Sequence, residues 1–122
     1  MGDDRKALGQ LGEDLAVEAL GRRGYRILAR NFRCRHGEMD IIASHNGVLV
    51  FIEVKTRRSS GYGSPAEAVT FAKQRRMAKI AQFYLSQGRH ADRDCRFDVV
   101  SVLLQTGHAA EVEIIYAAFE LS

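Results

Sequence analysis

Met39-Asp40-Ile41-Ile42-Ala43-Ser44-His45-Asn46-Gly47-Val48-Leu49-Val50-Phe51-Ile52-Glu53-Val54-Lys55-Thr56-Arg57 is the stretch whose reading decides the fold. Two apolar runs flank Asn46-Gly47, and both turn residues tolerate positive φ, so the pair predicts a two-residue hairpin between two antiparallel strands. Counting outward from that turn, His45 faces Val48, Asp40 faces Glu53 and Glu38 faces Lys55. Alternation then puts Glu53 and Lys55 on one face with Leu49 and Phe51, and turns Val50, Ile52 and Val54 to the other.

Like charges directly opposite one another destabilise a strand pair, and carboxylates inside apolar strands are costly without a cation between them. A divalent metal supplies that charge. Oxygen donors with no Cys or His among them suit Mg²⁺ or Mn²⁺ better than Zn²⁺. The bland alternative is an exposed charge ladder, with Asp40 solvated at a strand start. Three ionisable groups on one face of the most apolar hairpin in the chain favour the metal site.

At 122 residues and 46% hydrophobic, the chain predicts one domain over residues 1–122 with a core of its own. Cys34 and Cys95 form no CxxC unit and accompany no signal peptide, which predicts free thiols and a cytoplasmic setting. His36, His45, His90 and His108 are scattered and read as surface residues. No apolar run approaches membrane-spanning length. Charge is uneven: thirteen Lys and Arg against four acids lie between Arg22 and Lys79, three of those acids being Glu38, Asp40 and Glu53. The candidate ligands thus lie in the most basic part of the chain, which points to a polyanionic partner.

In order, the chain opens with a helix from about Arg5 to Arg23. Leu8, Leu11, Gly12, Leu15 and Ala19 form its stripe, and Ala16, Val17 and Leu20 widen one side. Glu13 belongs to that side, which leaves it either facing the sheet or partly exposed. Gly24 ends the helix, and Tyr25 to Phe32 forms the first strand. After the hairpin comes a basic loop, Arg57 to Ser64, whose Tyr62 could stack on a base. Ser64-Pro65-Ala66-Glu67 reads as a capping box opening a helix to about Gln87. Val69, Ala72, Ile80, Phe83 and Tyr84 are its expected packing face, and Lys73, Arg75, Arg76 and Lys79 its basic middle, with Lys73 near the Lys55 end of the hairpin. Cys95 to Leu104 and Val112 to Phe119 are the last strands; Val99, Val100 and Val102 place the former inside the sheet, covered on both faces. Arg96 and Asp98 read as a structural pair. The order is α-β-β-β-α-β-β, an α/β fold with a central mixed five-stranded sheet flanked by helices.

Gly12-Glu13, Asn31, Gly37-Glu38-Met39-Asp40, Phe51-Ile52-Glu53-Val54-Lys55, Lys73 and Arg96-Phe97-Asp98-Val99-Val100 resemble the YraN family of small bacterial proteins. That family is similar to archaeal Holliday-junction resolvases within the PD-(D/E)xK superfamily and has been assigned a restriction-endonuclease-like fold. Met39 stands where the eponymous Pro would be. The resemblance implies that Asp40, Glu53 and the Val54 carbonyl bind Mg²⁺ or Mn²⁺, with Glu13 a further ligand directly or through water. It implies that Lys55 orients the attacking water and offsets phosphate charge, and that the protein is a homodimer. Arg57, Arg58, Tyr62, Lys73 and Arg76 are the expected nucleic-acid contacts. The expectation is a metal-dependent endonuclease acting on DNA rather than RNA, on branched or repair and recombination intermediates. The alternative is a non-catalytic nucleic-acid-binding module on the same fold.

Overall fold

The structure, a computed structural model, describes residues 3–58, 69–88 and 93–120. Its elements are α1 (Asp3–Arg22), β1 (Arg26–Cys34), β2 (Gly37–His45), β3 (Val48–Arg57), α2 (Phe71–Leu85), β4 (Cys95–Leu103) and β5 (Glu111–Phe119). The strands form one sheet in the order β1-β2-β3-β4-β5. Only β3 and β4 run parallel, as a crossover through α2 requires; the other neighbours are antiparallel. Order, sheet and mixed character are as the sequence predicts.

Asn46 (φ 51°) and Gly47 (φ 82°) make the expected turn. The ladder starts at His45↔Val48 and runs in the expected register to Ile41↔Ile52, where the regular pairing ends. Glu38 is therefore not opposite Lys55. It pairs instead with Arg33 of β1, with Nε and Oε2 3.4 Å apart.

Both faces of the sheet are covered. On one, Ala16 and Leu20 of α1 pack over Ile41, Ala43, Val50, Ile52, Val100 and Val102. On the other, Met77, Ile80 and Ala81 of α2 pack over Met39, Ile42, Leu49, Phe51, Phe97 and Val99. β4 is apolar on both sides because both are buried, as its Val-rich run implied.

The α1 stripe is rotated from expectation. Gly12, Glu13, Ala16 and Leu20 are its buried residues, while Leu11 is 49% exposed. What decides the rotation is Gly12: a β-carbon there would lie 1.9 Å from Thr56 Oγ1, so a bare Cα lets the helix settle against β3. α2 begins later than expected. Thr70 caps it, its hydroxyl accepting from Lys73 N at 3.2 Å, and Ala72 is exposed rather than packed. The expected capping box Ser64 to Glu67 lies outside the described residues.

On β2, alternation fails at Asp40. Met39 belongs to the α2-side core and Ile41 to the α1-side core, although they are two residues apart. On β1, Phe32 packs on the α2 side while Arg30 reaches α1. Between them lies Asn31, with φ 53°, on the rung that faces Asp40. Both strands turn over at the position where the sheet presents its acid.

Candidate functional site

Asp40 sits immediately past the last regular β2/β3 rung. With no β2 ladder partner, the Val54 N–H donates instead to Asp40 Oδ2 at 2.8 Å. The Asp40 and Glu53 carboxyls lie near enough to interact, each within the other's field just beyond the end of the ladder. Glu53 is 8% exposed and receives Lys73 Nζ on Oε1 at 3.0 Å. Glu13, 9% exposed, enters from α1 and is held by Arg30 Nε at 3.0 Å. The Asn31 amide, with its nitrogen facing the acids, donates to both Glu13 and Glu38 at 3.2 Å.

Of these groups Asp40 and Glu13 line a cleft of about 290 Å³, together with Gly9, Val54, Lys55 and Thr56, while Glu53 lies behind Asp40 and off the cleft lining. Burial first, then the charge of Glu53, push the Asp40 carboxyl up to about 7, against the lowering effect of the Val54 N–H. Lys73 answers Glu53 and Arg30 answers Glu13; among the described residues Asp40 has no ion-pair partner. The Lys55 ammonium makes no ion pair or hydrogen bond among the described residues.

Whether a metal fits can be judged from the donors. Among the described residues no three His, Cys, Asp or Glu side chains form a ready-made metal cage. Asp40 and Glu53 do supply two neighbouring carboxylates with hard oxygen donors, and burial together with the charge of Glu53 raises Asp40 to about 7. The arrangement fits an ion that keeps several waters, with Glu13 on the cleft wall rather than on the Asp40–Glu53 pair.

The expected nucleic-acid contacts divide. Lys73 lies at the site, on Glu53. Arg57 reaches across to Ser101 on β4, with Nη2 3.5 Å from Oγ. Arg58 is exposed and borders a separate groove with Leu8, Leu11 and Leu104. Arg76 is exposed on α2, its stem near Gly37. Tyr62 lies outside the described residues.

Sequence reasoning placed Lys73 near the hairpin but missed its ion pair with Glu53, and it missed Arg30 as the partner of Glu13. It also missed a second polar cluster. Asp98, fully buried, accepts from Arg96 Nε at 2.9 Å, Tyr25 Oη at 2.7 Å and the Ala117 N–H at 2.9 Å. His45 is not a free surface residue: it stacks on Tyr25 with ring centroids 4.0 Å apart, and its Nδ1 lies 2.9 Å from Arg96. An Asp inside the run Phe97–Val100 was the signal that partners had to exist. Arg96 and Asp98 are the expected structural pair. Cys34 and Cys95 are both free, and no helix among the described residues is long and apolar enough to cross a membrane.

The fold and cleft define a small α/β protein with a mixed sheet and an acidic pair where two strands part. Comparison with known proteins places it further: the profile of the uncharacterised protein family UPF0102 matches residues 12–102. The chain is 49% identical to the UPF0102 protein of Pelobacter propionicus over 121 residues, 98% of this chain and 86% of that one. It is 50% identical to that of Geobacter sulfurreducens over 117 residues, covering 96% and 91% of the two chains. With the Symbiobacterium thermophilum relative the identity is 56% over 97 residues, covering 80% and 82%. The chain belongs to the UPF0102 family, the YraN family of the sequence resemblance.

Proposed function

We propose that this protein is a Mg²⁺- or Mn²⁺-dependent endonuclease of the PD-(D/E)xK kind, acting on DNA at branched or repair and recombination intermediates. The observation that carries the reading is the approach of Asp40 to Glu53, buried enough to drive Asp40 to about 7 inside a basic stretch of chain. A structural role explains one buried acid with a partner; it does not explain two acids set beside each other.

A divalent ion held by Asp40, Glu53 and the Val54 carbonyl would neutralise a phosphodiester and make bound water a better nucleophile near neutral pH. The chain's own residues supply the rest. The Val54 N–H fixes the Asp40 carboxylate, and Arg30 and Asn31 fix Glu13. Lys55, on the cleft wall with no ion pair among the described residues, is the group to contact a phosphate oxygen or orient a water.

The test is cleavage of duplex, nicked and branched DNA with Mg²⁺ or Mn²⁺ by wild type, Asp40→Asn, Glu53→Gln and Lys55→Ala. Each substitution is expected to lower the rate by about 100-fold or more, the scale of losing a positioned catalytic group. Parental rates for Asp40→Asn would remove the proposed site.

The second reading, a nucleic-acid-binding module without cleavage, draws support from Glu53 and Glu13 already being held by Lys73 and Arg30. Titration calorimetry with Mn²⁺ separates the two. No metal binding alongside tight, salt-sensitive DNA binding favours the module.

A further inference from the structure

We propose that Arg57 and Ser101 form a site for a second backbone phosphate of the bound strand, next to the one that lies at Lys55. This rests on the reading of the cleft as a nucleic-acid site and extends it.

Arg57 follows Lys55 by two residues on the same face of β3, at the last rung shared with β4, Arg57↔Leu103. Two strand residues advance about 6.7 Å, and the Arg57 fork folds back toward Ser101, so it stands beside Lys55 over the neighbouring strand, within one nucleotide step of it. Ser101 stands between them, paired with Lys55 across the parallel ladder and only 5% exposed. This is the C-terminal end of the parallel strands, where open α/β sheets bind ligands.

The bonding is incomplete in a particular way. Arg57 Nε is buried and has no hydrogen-bond partner. Its Nη2 reaches Ser101 Oγ only at 3.5 Å, the outer limit of a hydrogen bond. Arg57 has no carboxylate partner among the described residues, whereas Arg30 and Lys73 are each committed to an acid of the cleft. Ser101 Oγ accepts that long contact, and its hydroxyl proton has no acceptor among the described residues. A desolvated guanidinium edge and a buried hydroxyl, both donors, call for an anion with several acceptor oxygens. A phosphate fits the guanidinium fork edge-on. The Arg57 backbone is anchored, since its carbonyl accepts from Leu104 N at 2.8 Å, so the fork stands on a rigid strand end.

The experiment measures binding of a fluorescent twelve-nucleotide thymidine strand without divalent ion, so cleavage plays no part. Affinity is followed against salt for wild type, Arg57→Gln, Arg57→Lys, Ser101→Ala and Arg58→Gln, with circular dichroism as the folding control. Arg57→Gln is expected to weaken binding roughly tenfold and reduce the salt slope by about 0.7, one single-strand phosphate contact. Ser101→Ala should weaken binding a few-fold with the slope unchanged, because a hydroxyl releases no counterion. Arg57→Lys should keep the slope yet lose affinity, because an ammonium lacks the fork.

Wild-type affinity and slope in Arg57→Gln would overturn the site, as would an equal loss in Arg58→Gln, the mark of general surface charge. Should Arg57→Gln be unfolded, Arg57→Lys and Ser101→Ala decide: both binding like wild type overturns the site, and the losses stated above support it. A wild-type protein that binds no strand at any salt overturns the nucleic-acid reading itself, which separates that failure from this one.

Discussion

A carboxyl with a neighbour of its own sign and no cation must keep a proton or acquire a metal. Asp40 is in that position, raised from 3.8 to about 7 by burial and by Glu53. Between those two values the folded state holds a proton that the unfolded chain has released, so stability falls as pH rises through that window. The metal-free protein should therefore lose ~3 kcal/mol of unfolding free energy between pH 4 and pH 8, the order of magnitude that holding this proton through the window implies. Urea unfolding across pH, repeated on Asp40→Asn, checks this: the variant should lack most of the slope and be the more stable protein at pH 8. Mn²⁺ should stabilise wild type at pH 8 more than at pH 5, and Asp40→Asn at neither. Ala117 offers a second test. Its φ of 50° costs a β-carbon residue energy that Gly avoids, so Ala117→Gly should raise stability by ~0.5–1 kcal/mol in the same assay.

At the scale of elements, the contact of α1 with β3 is set by one missing atom. Gly12→Ala would drive a methyl to 1.9 Å from Thr56 Oγ1 and 2.8 Å from its Cγ2. The helix must then lift from the sheet, at about 1–3 kcal/mol of stability, and Glu13, its next residue, lifts with it. Thr56→Ala removes both of those atoms and leaves only its Cβ, at 2.9 Å, so the double variant should recover part of the loss in a double-mutant cycle; strict additivity would show that the two do not meet. This same contact explains what the sequence disclosed and what it withheld. The Asn46-Gly47 turn, the register to Ile41↔Ile52 and the two-sided burial of β4 were legible because each follows from local chemistry or period. The rotation of α1 was not, since hydrophobicity ranks Leu11 above Gly12 and cannot register that a tight approach needs the smaller residue. Nor was the turnover of β1 and β2 at Asn31 and Asp40, where tertiary bonds to Glu13, Glu38 and Val54 override alternation. Lys73 was placed near the hairpin by the sequence, while its partner Glu53 needed the packing of α2 to be seen.

Across the whole molecule, the Asp98 cluster ties together chain segments far apart in sequence: Tyr25 before β1, His45 ending β2, Arg96 and Asp98 on β4, Tyr116 and Ala117 on β5. Asp98→Ala leaves a buried Arg96 guanidinium without its carboxylate and should cost about 3–5 kcal/mol in chemical denaturation. Tyr25, pushed up to about 12 by burial and by its bond to Asp98, should stay un-ionised in an ultraviolet titration until near that pH.

Either side of the sheet ends in a strand that is bent out of true: β1 by its irregularity after Ile27 and the left-handed Asn31, β5 by the shift beside Phe97 and the left-handed Ala117. Neither rim offers an unbroken comb of amide donors and acceptors for another chain to continue. Stacking of copies strand to strand, the route to filaments, is thereby discouraged. Contact between copies of this chain is left to side chains.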